Sequence, residues 1–531
     1  MLRTLLDRSN RPALYVLLGV LLFHVAGVMS YLLRDGRLSM VPIYDDVVYL
    51  VDGLNRLAIL DNKGLPSFLY DFIFTTPPHA PLVALTSVFG LLISSGAAWG
   101  PYLLSSVWIA LVLLLGWVVL RGANSWARVG ILLAVLSAPM FAFVLAEFRP
   151  DPVWGLLVGF SVALCASANM IRARPRDLFV LGLLFGLTTI SKPTAAPASV
   201  VVLAVGWFVQ VGVAQLLARR WDLGQVAKSF AWVFAGSACV VLPYLATNGA
   251  AILAYILEVM AGDSMWRTQT TVYGQLTYYL NKGTGVTALG WVWWTAAPLF
   301  VLSALWIVGR RDRLAMPVFA ALMAAVAASY LIVTVSAVKS LMIGSILYGT
   351  IIAAVTWCLG YLVTRFPLRG WPILAVGLLV FVTQWLPRSG QIHRADPTMA
   401  AADTANRAIL PALTEILRSR PAASVLVTVP GPAYAGTLSF LTKQQGMFRT
   451  FDSGYTLDSW ERFQKAASSA DVIVLSEVGM VGQSLGWSFP SMKFETRLLD
   501  ELRAGTEFSG KPAFTDAQNR SVWLFVRNAP R

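Results

Sequence analysis

Charge is scarce in this sequence. Asp, Glu, Lys and Arg make up 13% of the 531 residues, against about 25% in a soluble globular domain, which excludes an ordinary water-soluble chain. Histidine and cysteine each occur only three times. Cys165, Cys239 and Cys358 all fall inside apolar runs, where a thiol behaves as a small hydrophobe, so neither a disulfide framework nor a cysteine-ligated zinc site is expected. The opening stretch "MLRTLLDRSNRPALYVLLGVLLFHVAGVMSYLL" lacks a small-residue cleavage site and reads as a retained anchor rather than a removed signal peptide. No internal repeat is detectable at periods of about 20–50 residues.

Apolar residues are abundant: 57% of the chain, with a mean hydropathy of +0.67. Twelve stretches approach the ~20 residues that cross a bilayer: 12–33, 79–97, 101–120, 127–146, 153–171, 178–191, 195–217, 228–246, 286–308, 315–336, 342–363 and 370–387. The net charge of +14 gathers in short connections, at Arg121 and Arg128, Arg172 to Arg176, Arg219 to Lys228, Arg310 to Arg313 and Arg365 to Arg369. That is the positive-inside pattern, and without a basic, aromatic-interleaved stripe it excludes a nucleic-acid protein. The basic loops share the cytoplasmic side only if 79–97 is a half-inserted or interfacial helix. The expectation is a polytopic α-helical membrane protein of about eleven crossings, with a cytoplasmic N-terminus. Two long loops, 34–100 and 247–285, and the tail 388–531 then face outward.

The tail is a different kind of sequence. "SVLVTVPG", "MFRTF", "ADVIVLSE" and "SVWLFVRN" read as strands, and "DTANRAILPALTEILRS", "AGTLSFLTKQQG" and "SWERFQKAASS" as helices. The alternation predicts a separate soluble α/β domain over 388–531, following a transmembrane domain over 1–387. No Gly-rich nucleotide fingerprint follows any of its strands.

Against this background the adjacent carboxylates of "PIYDDVVYLVDGLNRL" stand out, just beyond the first span. Val47, Val48, Leu50, Val51, Leu54 and Leu57 lie on one side and Tyr49, Asp52 and Arg56 on the other. This spacing predicts an amphipathic helix lying apolar side down in the membrane interface, with Asp45 as its N-cap. Four further polar features belong to the same outer side: His79 in "TTPPHAPLVAL", Arg149 and Asp151 in "EFRPDPVW", Lys192 in "ISKPTA", and Lys339 in "SAVKSLM". Ionisable groups at membrane depth are costly and usually face an internal cavity, so their convergence predicts one polar pocket.

"YDDVVY", "HAPL", "RPDP" and "SKPT" resemble, in order and spacing over about residues 10–345, the motif series of the GT-C glycosyltransferases that use lipid-linked sugars. Protein O-mannosyltransferases and the lipid A aminoarabinose transferase belong to that group. In it a carboxylate pair stands in the first outer loop with a Tyr four residues after the first, as Asp45 and Tyr49 are placed here. Departures are Ala80 in "HAPL" and Pro193 where the Lys-containing element usually has Gly. The resemblance implies a GT-C fold and an inverting transfer of sugar from a polyprenyl-phosphate carrier. The acceptor would be an extracytoplasmic envelope glycan, glycolipid such as lipid A, or protein, at the cell inner membrane. Asp45 is the candidate general base, with Asp46 beside it as a second catalytic carboxylate. Asp46 and Tyr49 would orient the sugar or acceptor, and His79 would contact the acceptor side or position Asp45. Arg149 and Asp151 would shape the pocket, pairing with one another. Lys339, Arg267 in "DSMWRTQTT" and Lys192 are the candidate clamp on the departing phosphate.

Two other readings use the same residues. A transporter requires inverted repeats and charges near mid-bilayer, whereas these sit at span ends. A surface-polysaccharide polymerase or ligase consumes pyrophosphate-linked oligosaccharides instead of a monophosphate sugar. Asp45, Asp46, Asp151 and His79 are also donors suited to a hard or borderline divalent cation, so a metal-assisted site stands beside a metal-free one. A monomer in the lipid bilayer is expected.

Overall fold

A computed structural model describes residues 8–75, 80–168, 170, 173–219, 221–261, 268, 271–365, 370–392, 397–428, 432–477, 480 and 489–528. By contact the chain forms two compact units interleaved in sequence. One comprises Met1–Ser30, Leu69–Thr86 and Tyr102–Ile392, the other Tyr31–Phe68, Ser87–Pro101 and His393–Arg531.

The first unit is helical. Among the described residues eight helices are long and apolar enough to cross a bilayer: Arg11–Arg34, Trp99–Val119, Pro150–Ser167, Pro193–Ala218, Leu223–Leu257, Trp291–Arg310, Ala315–Val335 and Ser345–Arg365. A ninth is a broken pair, Ser125–Leu136 and Pro139–Ala146, bent by 64°. The remaining stretches expected to cross are also helices. Pro175–Ser191 has 17 residues, and Gly370–Ile392 has 23. Pro81–Ile93 has 13 residues, a length of about 20 Å against a hydrocarbon core of about 30 Å.

Local chemistry accounts for two features of this unit. Pro139 interrupts the helical ladder at the bend, and carbonyls freed there need a donor because lipid supplies none. The Ala134 carbonyl accepts from the Ser137 hydroxyl at 2.6 Å and from the Trp291 indole N–H at 3.0 Å, and the indole also reaches the Ser137 hydroxyl at 3.1 Å. Pro150–Ser167 packs on Ser345–Arg365 through small residues. A Cβ added to Gly155 would strike the Ser345 carbonyl, and one added to Gly159 the Gly349 carbonyl, the close approach that Gly-x-x-x-Gly spacing permits. Of the three thiols, Cys165 and Cys358 are buried but Cys239 is exposed. It lies on the Leu223–Ala261 helix, most of whose apolar window is not buried within the protein.

The second unit contains the tail domain, a five-stranded sheet between two layers of helices. β1 (Val425–Val427), β2 (Phe451–Ser453), β3 (Val472–Ser476), β4 (Phe508–Thr515) and β5 (Ser521–Arg527) are ordered β2-β1-β3-β5-β4. β1 is parallel to β2 and β3, and β5 runs antiparallel to β3 and β4. Alternation decides the faces. Val425, Val427, Val472 and Val474 pack with Ile409, Leu413 and Leu417 of the Pro397–Ser419 helix. Leu426, Ile473 and Leu475 pack oppositely with Phe463 of Trp460–Ser469 and Leu498 of Met492–Ala504. "MFRTF" is not itself the second strand, which begins at Phe451.

Candidate active site

The Tyr44–Tyr70 helix carries the aspartate pair and breaks at Gly64, whose φ is +78°. Asp45 is not its N-cap. It lies one residue inside, in the first turn with Asp46, where the helix dipole still favours a carboxylate. The residue before it, Tyr44, has φ +61°, a conformation rare for a bulky residue.

The two carboxylates differ in their surroundings. Asp45 is exposed. Asp46 is 1% exposed and accepts from the Arg37 guanidinium at 2.9 Å; the same guanidinium lies 6.0 Å from the Tyr44 ring centroid. Burial of a charge demands such a partner. The expected division of the helix is also revised. Tyr49 and Arg56 are buried alongside Val47, Leu50 and Leu54, while Val48 is exposed. Arg56 can be buried because its Nε reaches both Asp52 oxygens at 3.1 Å.

In the membrane unit, the Pro150–Ser167 helix opens on Asp151, which is buried. It does not pair chiefly with Arg149. Its partner is Lys192, whose ammonium donates to Asp151 Oδ1 at 2.5 Å and sits 5.1 Å from the Trp154 ring centroid. Arg149 faces Glu147 at 3.7 Å and lines a small cleft with Val83, Thr86, Ser105, Trp108, Phe148 and Val153. Arg149, Asp151 and Lys192 are thus brought into one charged neighbourhood by two helix starts, each preceded or followed by proline.

Lys339 is buried in the connection between two spans. Its ammonium donates to the Val333 and Thr334 carbonyls at 2.8 and 2.6 Å, a cation on a helix C-terminus, and lies 5.6 Å from the Tyr279 ring centroid. Burial lowers its pKa from the ordinary lysine value. Its backbone N–H donates to the Thr268 hydroxyl at 3.0 Å. Arg267 and His79 lie outside the described residues. Among the described residues no three His, Cys, Asp or Glu side chains gather as a metal ion requires.

Sequence reasoning passed over Arg37, Glu147, Trp154 and Tyr279. Glu147 stands inside "EFRPDP", and Trp154 lies one helical turn from Asp151, so both were within reach of the spacing argument. Arg37 lies in a short turn nine residues before Asp46, a separation that no helical or strand period connects.

No family model matches the chain, and no curated protein does. Solved structures do match. The crystal structure of ArnT from Cupriavidus metallidurans in the apo state aligns with a TM-score of 0.57 at 14% identity, over 96% of this chain and 97% of that one. ArnT from the same organism bound to undecaprenyl phosphate aligns with a TM-score of 0.55 at 15% identity, over 98% and 99%. Likeness of such extent at so little identity is likeness of fold: the chain has the ArnT fold over nearly its whole length, the GT-C architecture that its motif series resembles.

Proposed function

We propose that this protein is an inverting glycosyltransferase of the inner membrane that moves a sugar from a polyprenyl monophosphate carrier to an extracytoplasmic acceptor. The observation that carries the reading is the asymmetry of the aspartate pair within an ArnT fold. Asp46 is committed to Arg37 and buried, while Asp45 next to it is exposed on a helix start.

In this reading Asp45 takes the proton from the acceptor hydroxyl or amine as that atom bonds to the anomeric carbon. The bond from anomeric carbon to phosphate oxygen breaks, and the polyprenyl phosphate leaves with the electron pair. The departing phosphate calls for cations, with Lys339, Arg267 and Lys192 as candidates, because charge-assisted bonds to phosphate are strong. Lys192 would exchange or share its contact with Asp151. Asp46 orients through Arg37 rather than accepting a proton. Nucleotide sugars are confined to the cytoplasm, so a lipid-borne donor suits a site that faces outward.

The expectation that the first loop and the tail share one side has support inside the second unit. The Ala435–Gln444 helix donates from Thr437 to the Pro42 carbonyl and from Gln444 to the Gly96 carbonyl. These contacts support a reading in which residues 42 and 96 share one side of the bilayer with the tail and the Pro81–Ile93 helix does not cross.

The test offers the purified protein undecaprenyl phosphate carrying radiolabelled glucose, mannose, galactose, arabinose or aminoarabinose, with lipid A, envelope glycan or protein fractions as acceptors. Label should leave one carrier. Asp45→Asn should lower that transfer by about 10²–10⁴, the usual worth of a general base, without loss of carrier binding. Retention of label on every carrier, or a nearly fully active Asp45→Asn, defeats the reading.

A further inference from the structure

The short segment that leads into Asp45 is held by residues more than 350 positions away in the chain. The Val41 N–H donates to Asp403 Oδ1 at 2.8 Å. The Pro42 carbonyl accepts from the Thr437 hydroxyl at 2.6 Å, a buried bond. The Tyr44 ring meets the Tyr434 ring edge-on, with centroids 6.0 Å apart. Val41 and Ile43 are buried with Met399, Ala402 and Tyr434.

These anchors are themselves fixed. Asp403 is steered by Arg407, whose Nε lies 2.9 Å from both carboxylate oxygens. Asn406, fully buried, donates to the Ala402 and Pro432 carbonyls at 2.6 and 2.9 Å and accepts from the Tyr434 N–H at 3.3 Å. Gly436 lies so close to Val47 that an added Cβ would collide with that side chain. The tail thus grips the chain on both sides of Asp45, and the residue between grip and carboxylate, Tyr44, is in the left-handed region. A bulky residue stays there only where its surroundings over-determine it.

We infer that Thr437, with Asp403 and Tyr434, is a positioning residue: it sets the direction in which the first helical turn presents Asp45. The inference rests on the reading of Asp45 as general base. A catalytic group misplaced by about 1 Å can cost about 10²-fold in rate, so a domain that touches no reacting atom can still govern the step.

The experiment uses the full-length protein in nanodiscs, with the carrier sugar that wild type turns over in the panel above. Thr437→Val removes the hydroxyl at nearly constant volume, and Thr437→Ser keeps it. Thr437→Val should lower kcat by about ten- to a hundredfold with KM for the carrier nearly unchanged, and Thr437→Ser should restore it. Amide exchange over residues 41–49 should quicken in Thr437→Val while the Val472–Ser476 strand stays protected, which separates lost positioning from unfolding. Should Thr437→Val unfold, Asp403→Ala is read in the same way, with Asp403→Asn as its rescue. Unchanged kcat in Thr437→Val with Asp45→Asn inactive overturns this inference alone. Transfer that survives Asp45→Asn overturns the base reading and the positioning role with it. Unchanged exchange over 41–49 overturns the grip.

Discussion

At the scale of single residues, much of the charge that the protein buries is answered, and Glu495 is informative because it is not fully so. Glu495 is 2% exposed; the Ser491 hydroxyl donates to its Oε1 at a long 3.4 Å, and Oε2 has no partner among the described residues. Burial pushes its pKa up to about 8, the nearby Thr428 and Ser491 hydroxyls opposing this only in part. A carboxyl that holds its proton more tightly when folded contributes fully below its ordinary value of 4.5 and loses that contribution as pH rises to about 8. The unfolding free energy of Glu495→Gln, followed by thermal melts, should therefore gain on wild type across that window, by at most about 1.4 kcal/mol per pH unit, and run parallel to it below pH 4.5. Parallel curves up to pH 9 would show that the carboxyl is solvated in the folded protein. The aspartate pair was legible because two adjacent charges are conspicuous in so apolar a chain. The pairing of Asp151 with Lys192 was not, because their 41-residue separation becomes proximity only through the packing of two helices.

Elements were legible where one period ran uninterrupted. The spans follow from apolar length, and the helices of the tail from their 3.6-residue stripe. β4 was not legible because Gly510, Lys511 and Pro512 interrupt any strand pattern. It survives at the sheet edge, with a register irregularity after Pro512, where a missing donor costs little. The Met492–Ala504 helix, with buried Leu498, Leu499 and Leu502, had a readable stripe and was passed over. Among the spans, the contact of Pro150–Ser167 with Ser345–Arg365 is open to disruption by a single substitution. Gly159→Leu places a side chain against the Gly349 backbone, where no rotamer change relieves the clash. It should cost at least the roughly 1–3 kcal/mol of an overpacked core, and displace Asp151 at the same helix's start. Thermal unfolding of the solubilised protein checks the first and carrier turnover the second; a midpoint equal to wild type would mean that the two helices separate without penalty.

For the whole molecule, hydropathy and the placement of arginines gave the class of protein and the outward tail as an expectation. They could not reveal that the tail shares a compact unit with residues 31–68 and 87–101, since such contacts leave no trace in local composition. Single cysteines at Asn62 and Ala98, in a background free of Cys165, Cys239 and Cys358, should be labelled from one and the same side of the membrane. Labelling from opposite sides would make Pro81–Ile93 a crossing and reverse every later loop. The bond from Thr437 to Pro42 spans 395 positions, which has a bearing on biosynthesis. At about 5–20 residues per second, a ribosome needs roughly 20–80 s to travel from one partner to the other. During that interval the Asp45 segment waits without its last support, while the spans that follow are still entering the membrane. A nascent chain, or one that ends before Thr437, lacks this bond, and under the proposed role of Asp45 such a chain should be inactive.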